Sequence, residues 1–152
     1  MSIDDATPSE NWDITRIRAH VASELPLMRT LGIEIETAEG SRARVRLDLA
    51  EGLRRPGGAV AGPVLFAMAD LVSYLLTLVL FRQDVAVTAS LAIQFLRPAM
   101  SVPLIAEAVP LREGRTLQSY DVRIWSEKDG PDRLIAQANA TWARASWSGG
   151  QR

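Results

Sequence analysis

Between Val64 and Phe81 the chain has no glycine, no proline and no basic residue, and its single acid is Asp70. A helix that apolar must be buried on nearly all sides, so the rest of the fold has to be built to cover it. Gly62 suits the N-cap and Pro63 the first helical position, where a missing N–H costs nothing. Ser73, Tyr74 and Thr77 lie three, four and seven residues after Asp70. At about 100° per residue, all four share one narrow face. A buried helix with one polar stripe centred on a carboxylate points to a functional site, because buried carboxylates need partners and perturbed ones gather where chemistry is done.

Two other readings of the stretch compete. Its length is near that of a bilayer span, with Arg54 and Arg55 as a cytoplasmic flank. A charge well inside a span costs about 2.5–3.5 kcal/mol, however, and the chain downstream reads as soluble sheet. Alternatively, Asp70 is structural, held by Ser73 or a backbone amide.

The remaining chemistry is narrowed by what the chain lacks. It has no cysteine and one histidine, His20. This excludes disulfides, thiol nucleophiles, thiolate metal sites and multi-histidine metal sites. A net charge of −1 gives no sign of a general nucleic-acid binder. No Gly-x-Ser-x-Gly elbow, dinucleotide fingerprint or P-loop is present. The 152 residues fit one domain over the whole chain. The start, MSIDDATPSENWD, lacks the basic and apolar segments of a signal peptide, so a cytoplasmic location is the default expectation.

Taken in order, residues 1–10 and 146–152 read as flexible tails. Asp13 to Met28 reads as an N-terminal helix with Ile14, Ile17, Val21, Leu25 and Met28 on one face. Pro26 weakens its last turn and Gly32 stops it. His20, near the edge of that face, reads as packing or surface. Ile33–Thr37 and Arg42–Leu49 flank a turn at Glu39-Gly40-Ser41. Val45, Leu47 and Leu49 alternate there with Arg44, Arg46 and Asp48, as in a sheet with one wet face. A loop over Ala50–Ala61 leads into the apolar helix, and Arg82-Gln83-Asp84 leaves it. Strands follow over Val85–Leu96, Val102–Leu111, Thr116–Trp125 and Leu134–Ala145, with Ala89, Leu91, Ile93 and Phe95 expected on one face of the first. The fold class is α+β: one antiparallel sheet wrapped around one apolar helix.

The run GPVLFAMAD, the strand TASLAIQFLRPA and the later EGRTLQSYDVRIW resemble the hotdog-fold thioesterases of the phenylacetate-type, PaaI-like branch, over roughly Leu31 to Ala145. The resemblance implies a hotdog fold and a homodimer joined edge to edge, or a dimer of such dimers. It implies sites at the subunit interface and acyl-coenzyme A thioesters as substrates, with no cofactor beyond the coenzyme A of the substrate itself and no metal. Neither nucleic acid nor membrane is an expected partner. By the same resemblance Asp70 is the general base or the nucleophile. The Gly62 amide, from the other subunit, is the oxyanion donor, and Thr88 orients the attacking water. Ala61, Pro63, Ser73 and Tyr74 are expected against the substrate, and Arg97 and Arg115 against coenzyme A phosphates.

The chain departs from that family in two places. The triplet before the helix is Ala61-Gly62-Pro63 where His-Gly-Gly is usual, and Arg55 stands about where an asparagine is expected. This keeps a second function open, a non-catalytic protein that binds acyl-coenzyme A. A third, hydration of enoyl-coenzyme A, pairs an aspartate with a histidine in the site and ranks last, since His20 lies in the N-terminal segment.

Overall fold

The computed structural model describes residues 11–82 and 86–145. The two expected tails and most of the turn after the apolar helix lie outside the described residues.

Asp13 caps the first helix, α1 (Ile14–Glu24), by accepting a hydrogen bond from the Arg16 N–H at 2.8 Å. Ile17 and Val21 are its buried face. The single helix expected over Asp13–Met28 is broken in two. Leu25 takes φ −128° and ψ 59°, because a residue before proline is driven from helical angles. Pro26 then opens α2 (Pro26–Leu31), and Gly32, at φ 74°, closes it.

The strands are β1 (Ile33–Glu39), β2 (Arg42–Leu47), β3 (Ala86–Phe95), β4 (Leu104–Glu113), β5 (Leu117–Ser126) and β6 (Leu134–Arg144). They form one antiparallel sheet in the order β1-β2-β4-β5-β6-β3. β2 ends two residues earlier than expected, leaving Leu49 exposed, and β4 starts two residues later. The arginines of β2 point to the wet face: Arg44 pairs with Glu107 at 2.6 Å and Arg46 with Glu127 at 2.7 Å.

The apolar helix, α3 (Gly62–Phe81), lies along the inner face of the sheet. Met68, Leu71, Leu75, Leu76 and Leu78 are fully buried, each burial favouring the fold by about 1.5–3 kcal/mol. Beneath them β6 offers Ala136, Ala138 and Ala140, all buried, small enough to let the helix lie close. By length and composition α3 passes for a membrane span, but 72% of its most apolar window is buried within the protein. Its apolarity is answered by the sheet.

The two edges of the sheet differ. β1 carries Glu34, Glu36 and Glu39, and charge of this kind discourages further pairing. β3 has no charged residue over its whole length, and Val87 and Phe95 stand 45% and 54% exposed. The pairing of β3 with β6 also shifts register between Thr88 and Ser90. This is a bulge, with the extra residue at Ala89. Ala86 and Thr88 face inward before it, and Leu91 and Ile93 pack against the core after it. The expected alternation, with Ala89 on the face of Leu91, Ile93 and Phe95, is therefore interrupted at Ala89. Without the bulge, Thr88 and Leu91 could not share a face.

Candidate active site

The bulge turns Thr88 towards α3, where its hydroxyl donates to Asp70 Oδ1 at 2.9 Å. Asp70 is half-buried. Burial pushes its carboxyl above the ordinary value of 3.8, and the Thr88 hydrogen bond partly opposes that rise. The other carboxylate oxygen accepts no hydrogen bond from the described residues. Asp70 and Thr88 line one cleft of about 320 Å³ with Leu25, Met28, Tyr74 and Trp142. A carboxylate made more basic by burial, at one side of an apolar cleft, is equipped to take a proton from water.

The polar stripe of α3 divides in two. Ser73 is fully buried; its hydroxyl donates to the Asp70 carbonyl at 2.9 Å and accepts from Trp142 Nε1 at 2.9 Å. Ser73, expected against the substrate, here holds helix to sheet. Thr77 is likewise interior, 2.9 Å from the Ser73 carbonyl and 3.1 Å from the Tyr120 hydroxyl, which donates to Gln118 Oε1. Tyr74 remains at the cleft, with its ring 5.3 Å from that of Trp142 and its hydroxyl 2.8 Å from His20 Nε2. His20 also meets Trp12 edge-on at 5.0 Å. It packs, as its place on α1 suggests, but on a residue of the cleft. Sequence spacing gives no sign of that contact, 54 residues apart.

Replacing Ser73 by alanine orphans the buried Trp142 N–H. The expected result is a loss of about 1–3 kcal/mol in urea unfolding, with KM unchanged. A raised KM at unchanged stability would instead place Ser73 against the substrate.

At the N-terminus of α3 the backbone bonds begin with Val64, whose N–H donates to the Ala61 carbonyl at 3.0 Å. Ala61 supplies no side-chain cap and Pro63 has no N–H, so among the described residues the donor left without a partner there is the Gly62 N–H. Nothing within the protomer demands a glycine at this position. Its φ is ordinary, and an added Cβ would meet only Phe95, at 3.5 Å. Gly57 and Gly58, by contrast, have φ 97° and 89° and make the preceding loop. Gly62 and Asp70 are eight residues apart on one helix, about 12 Å at 1.5 Å per residue. One protomer cannot bring both to one carbonyl.

The two arginines are also apart. Arg97 follows β3 at the Gly62 end, its guanidinium donating to the Leu134 carbonyl at 2.8 Å. Arg115 lies in the turn before Leu117, which is level with Ala143 at the Thr88 end. A ten-residue strand puts about 30 Å between those ends. Arg55 is exposed in the loop before α3. Among the described residues no group of three or more His, Asp or Glu side chains is placed to hold a metal.

Residues 57–143 match the family model described as the thioesterase superfamily. The chain belongs to that superfamily. A candidate esterase of Saccharolobus solfataricus is 34% identical over 112 residues, spanning 74% of this chain and 73% of that protein. Among solved structures, a candidate thioesterase from a Silicibacter species has 30% identity and a TM-score of 0.75, covering 86% of this chain and 90% of that one. The Escherichia coli PaaI protein of the phenylacetic acid degradation operon has the same TM-score at 21% identity, covering 87% and 93%. At that identity it speaks for the fold, which is the hotdog fold. Membership makes the protein a thioester hydrolase by family.

Proposed function

We propose that the protein hydrolyses an acyl-coenzyme A thioester with a short or aryl acyl group, using Asp70 as general base in a site completed by a second copy of the chain. The observation that carries this is the Asp70–Thr88 pair in its cleft. The Thr88 hydroxyl fixes one carboxylate oxygen and leaves the other for water. Asp70 takes a proton from that water as its oxygen bonds to the thioester carbon. The carbonyl oxygen becomes an oxyanion, and its negative charge is met by a backbone N–H at a helix N-terminus. Collapse breaks the carbon–sulfur bond and expels the thiolate, which recovers the proton from Asp70. The products are a carboxylic acid and free coenzyme A.

The uncharged β3 edge supports the second copy. Two β3 strands paired antiparallel about a two-fold axis would bring the Asp70 end of one protomer beside the Gly62 end of the other. Gly62 of the partner subunit then supplies the oxyanion donor. The same pairing places the partner's Arg97 towards Arg115, so that arginines 30 Å apart in one protomer, about the length of β3, could serve one phosphate-bearing ligand. Ala61 and Pro63 flank the donor, and a proline there removes any competing N–H. In this arrangement the absent histidine of the triplet is dispensable to the proton transfer, which Asp70 performs alone.

The test is turnover of purified protein on butyryl-, phenylacetyl- and octanoyl-coenzyme A, followed against pH. Activity should fall on the acid side as Asp70 protonates, at a pH raised from the carboxyl's ordinary value by burial. Thr88→Ala removes the hydrogen bond that favours the charged form, so the acid limb should move to higher pH. A profile unmoved by Thr88→Ala would remove Asp70 as the titrating base. Binding of acyl-coenzyme A without any turnover would favour the non-catalytic reading.

A further inference from the structure

A second cavity, of about 420 Å³, lies between α1, α2 and β1 and is walled by Val21, Ala22, Ile33 and Ile35, with Arg18, Arg29 and Glu34 among its other lining residues. Two side chains line both this cavity and the Asp70 cleft: Leu25 and Met28. We propose that Leu25 and Met28 are the partition that limits acyl length, closing the cleft against a second apolar cavity that a longer chain could otherwise occupy. The inference rests on the reading of the Asp70 cleft as the acyl site.

The partition follows from the broken helix. Pro26 forces Leu25 out of helical angles, so Leu25 is the hinge residue between α1 and α2. Met28, buried on α2, stands beside it in both walls. Beyond them the far cavity offers aliphatic side chains, and Gly32 adds no side chain. On the near side the rings of Tyr74 and Trp142, 5.3 Å apart, both line the cleft, which suits a short aliphatic or aryl group. The acyl chain that fits is therefore set by two residues on the N-terminal helices, remote in sequence from the acid they serve.

Truncating the partition should join the cavities. Each methylene carried into an apolar site is worth about fourfold in binding. The Leu25→Ala/Met28→Ala enzyme should therefore raise the lauroyl-to-butyryl ratio of kcat/KM by at least about tenfold. Leu25→Ala alone, at a half-buried residue, should move it in the same direction and guards against a double variant that does not fold. Adding Ala22→Phe, which fills the far cavity, should cancel the gain. A ratio unchanged in folded Leu25→Ala would overturn the partition, as would a gain that survives Ala22→Phe. Non-hydrolysable butyryl and lauroyl thioether analogues of acyl-coenzyme A are run beside the substrates, reading the rise in melting temperature. If the wild type turns over no thioester, the hydrolase reading fails, while the lauroyl-against-butyryl shift in wild type and variants still decides the partition.

Discussion

Asp70→Asn should reduce kcat on the best thioester by about 10²–10⁴, the span usual for losing a general base, with KM little changed. Asparagine keeps the shape of the side chain and an oxygen to accept from Thr88, so the cleft and the substrate's fit survive. The ability to take a proton from water is what goes. Steady-state rates with an enzyme of unaltered circular dichroism check this. A variant within threefold of wild type would place the base elsewhere. Single-turnover hydrolysis in oxygen-labelled water separates the two roles open to Asp70, since only direct attack by the carboxylate leaves label in the protein.

The same change should make the protein more stable at neutral pH. A carboxyl whose pKa is raised by folding holds its proton more tightly in the folded chain, so ionisation opposes folding. That penalty is absent well below the ordinary value of 3.8, grows as pH rises past it, and is complete above the raised folded pKa. Asparagine carries no such penalty. The melting temperature of Asp70→Asn should exceed that of wild type at pH 7, and the gap should narrow as the buffer is made acid. A variant less stable than wild type at pH 7 would mean that the Thr88 hydrogen bond outweighs burial.

The helix around which everything is arranged was legible because its apolarity is local and leaves one solution, burial under a sheet. The strands were legible for the same reason, apart from their ends. What period-two patterning cannot reveal is a change of phase. Ala89 looks like one more member of an alternating strand, yet the bulge there decides that Thr88 faces Asp70. The polar stripe of α3 was also legible as a stripe, but its division was not. Ser73 and Asp70 are three residues apart, and only the position of Trp142 on β6 assigns one to the interior and the other to the cleft. The partition by Leu25 and Met28 has a local cause in Pro26, but its consequence depends on where α1 and α2 lie against β1. The contact between His20 and Tyr74 depends on tertiary placement alone.

Gly62→Pro should lower kcat by about 10²–10³, as expected for losing one oxyanion donor. Gly62→Ala should cost far less. The two substitutions differ in the N–H: alanine keeps it, and its Cβ meets Phe95 at an ordinary contact distance. Proline removes it at a helix N-terminus, where proline is tolerated, after an Ala61 that already has the extended ψ of 141° that proline requires. Equal losses for the two would mean that bulk, not the donor, matters at this position. Because Asp70 and Gly62 of one protomer are about 12 Å apart along α3, each crippled chain retains the half that the other lacks. Unfolded together and refolded, equal amounts of Asp70→Asn and Gly62→Pro chains should assort at random into dimers. Half of these are mixed, each with one intact site and one doubly defective, so activity should return to about a quarter of wild type. Mixing without recovery would place both groups in sites built within single chains, which the length of the helix forbids, and so would remove Gly62 from the chemistry.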